Sequence, residues 1–235
     1  MSSPAVSPPD VGVVIVAAGA GVRAGPGEPK QFRPIHGVPM LLRALRPFTS
    51  HPEVAHVVIA LPAGHAERPP EWLSRLLGER LSLVTGGTAR ADSVRAGLSA
   101  LPRTAGVVLV HDGARPFVSR ETIDGVIATA RAGCGAVAAA PLSDTVKEVA
   151  AGNRIARTVP RERLWRAQTP QGFPRVMIEQ AYAELRDRDA APTDDAELCE
   201  RAGLPVDVVP DTPHNFKVTT ADDFRIAEAW ARELR

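Results

Sequence analysis

The chain has 235 residues, of which 44% are apolar and 23% are charged. This length suits one domain, or one domain with an appendage, and the composition excludes a wholly disordered chain. The formal net charge of +1 gives no overall attraction to nucleic acid or to an anionic membrane, so an anion site must come from a local cluster.

Neither a membrane span nor a secretion signal is predicted. No apolar run approaches the roughly 18 residues that a span requires, and residues 1–10 lack the basic and apolar regions of a signal peptide. Cys134 and Cys199 lie in no metal-ligand spacing and are predicted to be reduced thiols. We therefore expect a cytoplasmic protein without nucleic-acid or membrane partners, and no second catalytic domain after the terminal helix.

The first two-thirds of the chain alternate between strand and helix patterns. Buried strands are predicted at 11–18, 54–61, 81–84, 106–110 and 135–142, and helices at 39–48, 72–77, 91–101 and 120–132. Ser119 is the predicted N-cap of the last of these helices. The rhythm predicts a single α/β domain over residues 1–235, Rossmann-like, with a mostly parallel sheet. Ligands of such sheets bind beyond the carboxyl ends of the strands.

The rhythm breaks at about residues 143–166, where two short alternating stretches flank Gly152 and Asn153. This pattern predicts a β-hairpin. Because it is charged and poor in large apolar residues, we expect it to project as a β-arm. Two subunits that exchange arms form an economical homodimer, whereas a surface arm without function is the alternative. Helices are predicted at 175–186, 194–202 and 221–234, the last with Thr220 as its N-cap, and a strand is predicted at 206–209.

A glycine-rich loop at 17–30 follows the first strand. Its small residues allow backbone N–H groups to approach a phosphate chain; they are Ala17, Ala18, Gly19, Ala20 and Gly21. Arg23 and Lys30 add cations suited to a triphosphate. The segment 19–24 formally fits the dinucleotide fingerprint, but two glycines and two prolines within 25–29 oppose the helix that this fingerprint needs. An ordinary glycine-rich turn is the alternative.

The fourth predicted strand leads into the sequence His111-Asp112-Gly113-Ala114-Arg115-Pro116. An aspartate at the carboxyl end of a buried strand, facing a phosphate loop, is a natural site for a divalent cation, directly or through water. A structural role in a turn, or an ion pair with Arg115, is the alternative for Asp112. His111 is predicted to be structural.

The third predicted strand leads through Gly86 and Gly87 into a helix. Glycines and a hydroxyl group at a helix N-terminus suit nucleotide recognition. Alternatively, Asp92 or Ser93 caps the helix.

Five motifs occur in a fixed order: Ala17-Ala18-Gly19-x-Gly21-x-Arg23, Pro29-Lys30-Gln31-Phe32, Arg90-Ala91-Asp92-Ser93-Val94, the His111 motif, and Asn215-Phe216-Lys217-Val218-Thr219. In this set the chain resembles the 2-C-methyl-D-erythritol 4-phosphate cytidylyltransferases of the non-mevalonate isoprenoid pathway. The resemblance implies a nucleotidyltransferase that uses CTP and 2-C-methyl-D-erythritol 4-phosphate. It also implies Mg²⁺, or another divalent cation, and a homodimer.

The resemblance further implies a role for each matching residue. The catalytic cations would be Arg23, Lys30, Arg161 and Lys217. The nucleotide would be bound by Ala17, Ala18, Gly19, Ala20, Gly21, Gly87, Arg90, Ser93, Asp112 and Gly113. The acceptor would be bound by Asp112, Thr145, Arg161, Thr193 and Lys217, with Thr145 and Arg161 reaching the site of the partner subunit. Asp112 would also face the metal.

Three other functions remain open from the sequence. A ribitol 5-phosphate cytidylyltransferase shares the loop, the lysine and the His-Asp motif. An NAD-linked oxidoreductase follows from the formal dinucleotide fit of the loop. A catalytically silent nucleotide-binding protein is the third, and it is disfavoured by the intact Arg23, Lys30 and Asp112.

Overall fold

The computed structural model describes residues 8–19, 29–185 and 190–234. In chain order, its strands are β1 (Val11–Val16), β2 (Pro34–Ile35), β3 (Val38–Pro39), β4 (Val54–Leu61), β5 (Leu81–Thr85), β6 (Val107–Asp112), β7 (Gly135–Pro141), β8 (Val146–Val149), β9 (Ile155–Val159), β10 (Trp165–Pro174) and β11 (Val206–Pro210). Its helices are α1 (Met40–Thr49), α2 (Ala63–Glu67), α3 (Glu71–Ser74), α4 (Arg90–Ala100), α5 (Arg120–Arg131), α6 (Arg175–Glu184), α7 (Asp195–Arg201) and α8 (Ala221–Glu233).

Seven of these strands form one central sheet in the order β11-β7-β10-β6-β1-β4-β5. Strands β6, β1, β4 and β5 run parallel to one another, as do β7 and β11. Strand β10 runs antiparallel to both β6 and β7. The sheet is therefore mostly parallel, and the α/β fold class predicted from the alternating rhythm is confirmed.

The central strand β1 is buried on both faces, which explains its unbroken run of apolar residues. Val13 and Ile15 belong to the core cluster that includes residues of α1 and α5. Val14 points the other way, into the cluster that includes residues of α4, α6 and α7. Successive side chains of a strand alternate between faces, so β1 anchors two separate hydrophobic layers.

The predicted helix starts at Ser119 and Thr220 are confirmed. The Ser119 hydroxyl accepts a hydrogen bond from the Thr122 N–H, and the Thr220 hydroxyl accepts one from the Asp223 N–H. Thr220 and Asp223 together form a capping box. These caps fix the first turns of α5 and α8.

Two local predictions were wrong. The helix expected at 72–77 is only the short α3, and Leu76 and Leu77 lie exposed beyond it. Residues 167–174, for which the sequence pattern predicts no element, lie within β10. Its Pro170 lacks a backbone N–H and is tolerated because the pairing register of β10 with β7 shifts between Ala167 and Gln171.

The hairpin predicted at about 143–166 is present as the antiparallel pair β8 and β9. The connecting turn contains Gly152 at φ +72° and Asn153 at φ +59°, the two residue types that adopt this conformation most readily. The pair forms a separate two-stranded sheet with mostly exposed residues. The predicted boundary was too wide at its end, because Trp165 and Arg166 already belong to β10 of the central sheet.

Among the described residues, no helix is long and apolar enough to cross a membrane.

The close packing of α4 on β1 generates a prediction about Gly97. A Cβ atom at Gly97 would lie only 2.4 Å from the Val14 Cγ1 atom. We expect Gly97→Ala to lower the free energy of unfolding by about 1–2 kcal/mol, because overpacking outweighs the gain in helix propensity. Urea denaturation measures the change. Ser99→Ala, at an exposed position of the same helix, is the control and should change stability by less than about 0.5 kcal/mol. A Gly97→Ala protein as stable as wild type would contradict this packing.

Candidate active site

The loops that follow β1, β5 and β6 meet at one edge of the central sheet. The Gly113 N–H donates to the Val16 carbonyl at 2.9 Å, and the Gly86 N–H donates to the Leu61 carbonyl at 2.7 Å. Val16 also lies opposite Asp112 in the strand register. These contacts hold the carboxyl ends of the neighbouring parallel strands next to one another. The sequence motifs are thereby collected beyond the carboxyl ends of parallel strands, where ligands of such sheets bind.

A cavity of about 370 Å³ lies between these loops. Its described lining contains three cations against one carboxylate, so it is positive although the whole chain is almost neutral. This balance suits an anionic ligand. The lining residues are Val16, Ala17, Ala18, Gly19, Lys30, Gln31, Gly87, Thr88, Ala89, Arg90, Ser93, Asp112, Gly113, Ala114, Lys217 and Thr219.

The lining includes most of the residues that the sequence motifs predicted. The structure brings together Ala17, Ala18, Gly19, Lys30, Gly87, Arg90, Ser93, Asp112, Gly113 and Lys217. Ala20, Gly21 and Arg23 lie outside the described residues.

Asp112 is the carboxylate around which the cations of the cavity gather. Its oxygens lie 2.9 Å from the Lys217 Nζ atom, 3.6 Å from Arg90 Nε and 3.7 Å from Arg115 Nε. Burial disfavours the charged form, but these three cations outweigh burial and hold the pKa of Asp112 well below its usual range. Asp112 is therefore ionised at neutral pH. The ion pair with Arg115, expected as an alternative, exists beside two others.

Lys30 is aimed at the cavity by its two neighbours in the chain. The Gln31 side-chain amide donates to the Ala17 carbonyl at 3.1 Å, and the buried Phe32 ring packs edge-on against Trp72. The Lys30 ammonium donates to the Val218 carbonyl at 3.0 Å. This bond ties Lys30 to the residue that follows Lys217, and both lysines line the cavity.

Gly87 and Ser93 shape the loop before α4. A Cβ atom at Gly87 would lie 2.2 Å from the Asp92 Cβ atom, so only glycine fits there. The buried Ser93 hydroxyl accepts a hydrogen bond from the Gly87 N–H at 3.2 Å. The Asp92 carboxylate accepts one from the Ala89 N–H at 3.2 Å. Asp92 therefore helps to cap α4 by accepting from the N-cap residue Ala89, whereas Ser93 holds the preceding loop and does not cap the helix.

His111 is fully buried and has two hydrogen-bond partners. Its Nε2–H donates to the Arg115 carbonyl at 3.0 Å, so Nδ1 is the unprotonated nitrogen and accepts from the Thr169 hydroxyl at 3.0 Å. The same hydroxyl accepts a hydrogen bond from the Asp112 N–H at 3.0 Å. Burial lowers the pKa of His111 to about 4. This arrangement agrees with the structural role expected for His111 and fixes the backbone at Asp112.

Three of the residues predicted to bind the acceptor lie away from the cavity within the described part of this single chain. Thr145 and Arg161 are exposed on and beside the arm, and the Arg161 guanidinium donates to the Ser143 carbonyl. The Thr193 hydroxyl is exposed and donates to the Glu197 carboxylate at 2.7 Å, at the start of α7.

Asp195 is a residue of the site region that the motifs did not single out. Its carboxylate is fully buried behind the cavity and lies 2.7 Å from the Arg90 guanidinium, an ion pair without hydrogen-bond alignment. Burial disfavours the charged guanidinium, but Asp195 and Asp112 outweigh burial and raise the pKa of Arg90. The one signal for Asp195 in the sequence was the pair of aspartates at the start of α7. Asp194 caps this helix, so a second aspartate is not needed for capping.

Known proteins resemble this chain in sequence and in fold. Residues 11–233 match the family model described as "IspD: 2-C-methyl-D-erythritol 4-phosphate cytidylyltransferase". The protein of that name from Streptomyces coelicolor is 45% identical over 233 residues, which cover 95% of this chain and 85% of that protein. The crystal structure of the enzyme of that name from Thermus thermophilus is similar, with a TM-score of 0.80 and 36% identity over 95% of this chain and 99% of that one. The bifunctional enzyme IspD/IspF of Desulfotalea psychrophila is 38% identical over 223 residues, and the chain spans 57% of its length.

The neutral, buried His111 predicts a loss of stability in acid. The folded pKa of about 4 lies below the value of about 6.5 expected when unfolded. The unfolded chain therefore binds the extra proton first as the pH falls. Between pH 7 and pH 5, this histidine should lower the free energy of unfolding by about 2 kcal/mol. Urea titrations of wild type and His111→Gln at both pH values measure it. The variant should lose about 2 kcal/mol less than wild type; equal losses would contradict the buried neutral imidazole.

Proposed function

This chain belongs to the 2-C-methyl-D-erythritol 4-phosphate cytidylyltransferase (IspD) family, and we propose that it transfers CMP from CTP to 2-C-methyl-D-erythritol 4-phosphate. The products are 4-diphosphocytidyl-2-C-methyl-D-erythritol and pyrophosphate, in the synthesis of isoprenoid precursors, and we assign the reaction to the cytoplasm. The observation that supports this most is the cavity at the carboxyl edge of the sheet, which Lys30, Arg90 and Lys217 line together with the ionised Asp112.

The proposed chemistry needs no nucleophile from the protein. An oxygen of the acceptor phosphate attacks the α-phosphorus of CTP, and the bond to the pyrophosphate leaving group breaks in line. Two polyanions must approach each other, so the site has to supply positive charge and orientation. A cavity with a surplus of fixed cations meets this requirement.

Lys30 and Lys217 are the cations that we assign to the reacting phosphates. Both ammonium groups are held by contacts with the protein, Lys30 by the Val218 carbonyl and Lys217 by Asp112. Preorganised charges of this kind stabilise the charge that develops in the transition state without further rearrangement. We assign Arg23 a third position beside the phosphates on the strength of its motif.

Asp112 is the residue that we assign to the divalent cation, directly or through water. Mg²⁺ prefers oxygen ligands and is commonly held by one or two carboxylates together with substrate phosphates. The cavity lining offers one ionised carboxylate of this kind, and the described residues contain no cluster of three metal-binding side chains that could cage an ion without the substrate. An ion bound there would neutralise phosphate charge.

The arm supports a homodimer in which each subunit completes the acceptor end of the other site. Val149 and Ile155 on the arm are 54% and 58% exposed, and Trp165 at its base is 40% exposed. Exposed apolar side chains on a two-stranded hairpin call for a covering partner. Thr145 and Arg161 lie in the same region, so an arm that reaches a second subunit would bring both residues to the cavity of that subunit.

The proposed activity is tested by pyrophosphate release with CTP and different acceptors. We expect release with 2-C-methyl-D-erythritol 4-phosphate and much slower release with ribitol 5-phosphate at the same concentration. Preference for ribitol 5-phosphate would overturn the acceptor, and no release with either would overturn the reaction. Omission of Mg²⁺ should abolish release, and full activity in the presence of excess EDTA would remove the divalent cation from the proposal.

Removal of a phosphate-facing cation should lower turnover strongly. We expect Lys30→Ala and Arg23→Ala each to lower kcat by roughly a hundredfold or more, because a charge contact made in the transition state is lost. Steady-state pyrophosphate release measures this. Arg75→Ala is the control, since this side chain is 74% exposed and pairs with Glu71, and neither residue lines the cavity. Near-wild-type kcat in Lys30→Ala would remove Lys30 from the mechanism.

A mixed dimer tests whether Arg161 acts across the interface. Subunits that carry Arg161→Ala or Lys30→Ala should each be inactive as pure dimers. A mixed dimer contains one site with both residues intact if Arg161 belongs to the partner's site. Activity should then recover to about half in an isolated mixed dimer and about a quarter in a random mixture. No recovery would show that Arg161 acts within its own subunit.

A further inference from the structure

We propose that Asp195 is a positioning residue that holds the Arg90 guanidinium at the wall of the cavity and keeps it from collapsing onto Asp112. The inference rests on the proposed function, because it concerns how CTP is bound. Asp195 itself is not among the described residues that line the cavity, whereas Arg90 and Asp112 are.

Arg90 lies between two carboxylates at unequal distances. Its Nη2 atom is 2.7 Å from Asp195 Oδ2, and its Nε atom is 3.6 Å from Asp112 Oδ1. The Arg90 side chain is 24% exposed and the Asp195 side chain is fully buried. The shorter contact is thus made on the buried side, and the guanidinium is drawn back from the Asp112 carboxylate.

Asp195 can exert this pull because it is itself held firmly. The Tyr182 hydroxyl donates to Asp195 Oδ1 at 2.6 Å, and the side-chain carbonyl of Gln171 accepts the N–H groups of Asp195 and Ala196, each at 3.0 Å. The Arg95 guanidinium lies 5.7 Å from the centre of the Tyr182 ring. These partners come from β10, α6 and α4, so Asp195 is fixed by the frame of the domain.

Loss of the Asp195 charge would redirect Arg90. A buried guanidinium that loses its partner is expected to pair with the nearest remaining carboxylate, because an unpaired buried charge is costly. That carboxylate is Asp112, which already pairs with Lys217. Arg90 would then leave its place on the nucleotide side of the cavity. Because the cytidine end of CTP does not change charge during the reaction, this displacement should weaken CTP binding much more than it slows the chemical step.

The test compares CTP binding and turnover in matched variants. We expect Asp195→Asn to raise the Kd for CTP, measured by isothermal titration calorimetry, and the KM for CTP by about tenfold. Its kcat should stay within about threefold of wild type. Tyr182→Phe removes the hydroxyl that donates to Asp195 and keeps the ring, and it should raise the Kd and the KM for CTP by about threefold. This variant replaces Asp195→Asn in the test if Asp195→Asn does not fold.

A double-mutant cycle separates positioning from general destabilisation. In the Arg90→Ala background, Asp195→Asn should raise the CTP Kd no further, because the side chain that it positions is gone. Ser119→Ala is the matched control: it removes the cap of α5 that accepts from the Thr122 N–H at 3.0 Å, on the face of the sheet opposite α7, and it should lower the melting temperature without raising the CTP Kd.

Each contrary result has a distinct meaning. Wild type that does not bind CTP at all would overturn the proposed function and this inference with it. Wild type that binds CTP while Asp195→Asn and Tyr182→Phe bind it equally well would overturn only the positioning role. An equal rise in Kd for Ser119→Ala, or a further rise of about tenfold for Asp195→Asn in the Arg90→Ala background, would also overturn it.

Discussion

The ionised Asp112 carboxylate is the interaction on which the cavity depends. Three cations approach it from separate parts of the chain: Arg90 at the start of α4, Arg115 in the loop after β6, and Lys217 before α8. Without a central negative charge, these cations would repel one another in a partly buried space. Asp112 therefore does two things at once. It allows positive groups to be crowded together, and it leaves the surrounding cavity with a surplus of positive charge for a polyanion.

Around this charge cluster, the backbone provides a frame that needs little adjustment. The strand register sets Val16 opposite Asp112, and the buried imidazole of His111 fixes the backbone at Asp112 through the Thr169 hydroxyl. Behind the cavity, Asp195 holds Arg90 in its turn. The cationic side chains are thus restrained by partners of their own, which is the preorganisation that electrostatic catalysis requires. The proposed reaction follows from that restraint more than from any single reactive side chain.

Much of this arrangement could be predicted from the sequence, for local reasons. Buried parallel strands show as apolar runs, and motifs that follow such strands must meet at one edge of the sheet. That reasoning placed Lys30 and Asp112 together correctly. Strand β10 was missed because Pro170 interrupts its pattern, and its partners lie far away in the chain. Asp195 was missed because its importance comes from a tertiary contact with Arg90, and the second aspartate at the start of α7 does not by itself indicate that contact. The homodimer that we propose would likewise depend on a surface outside the single chain.

The contact between Lys30 and the Val218 carbonyl joins residues 188 positions apart. The glycine loop and its lysine leave the ribosome well before the segment that carries Lys217, since Val218 follows Lys30 by 188 positions. A nascent chain can therefore form β1 and β4 long before it has a complete wall for phosphates. The lining of the cavity is consequently complete only after both segments have been synthesised and have folded together.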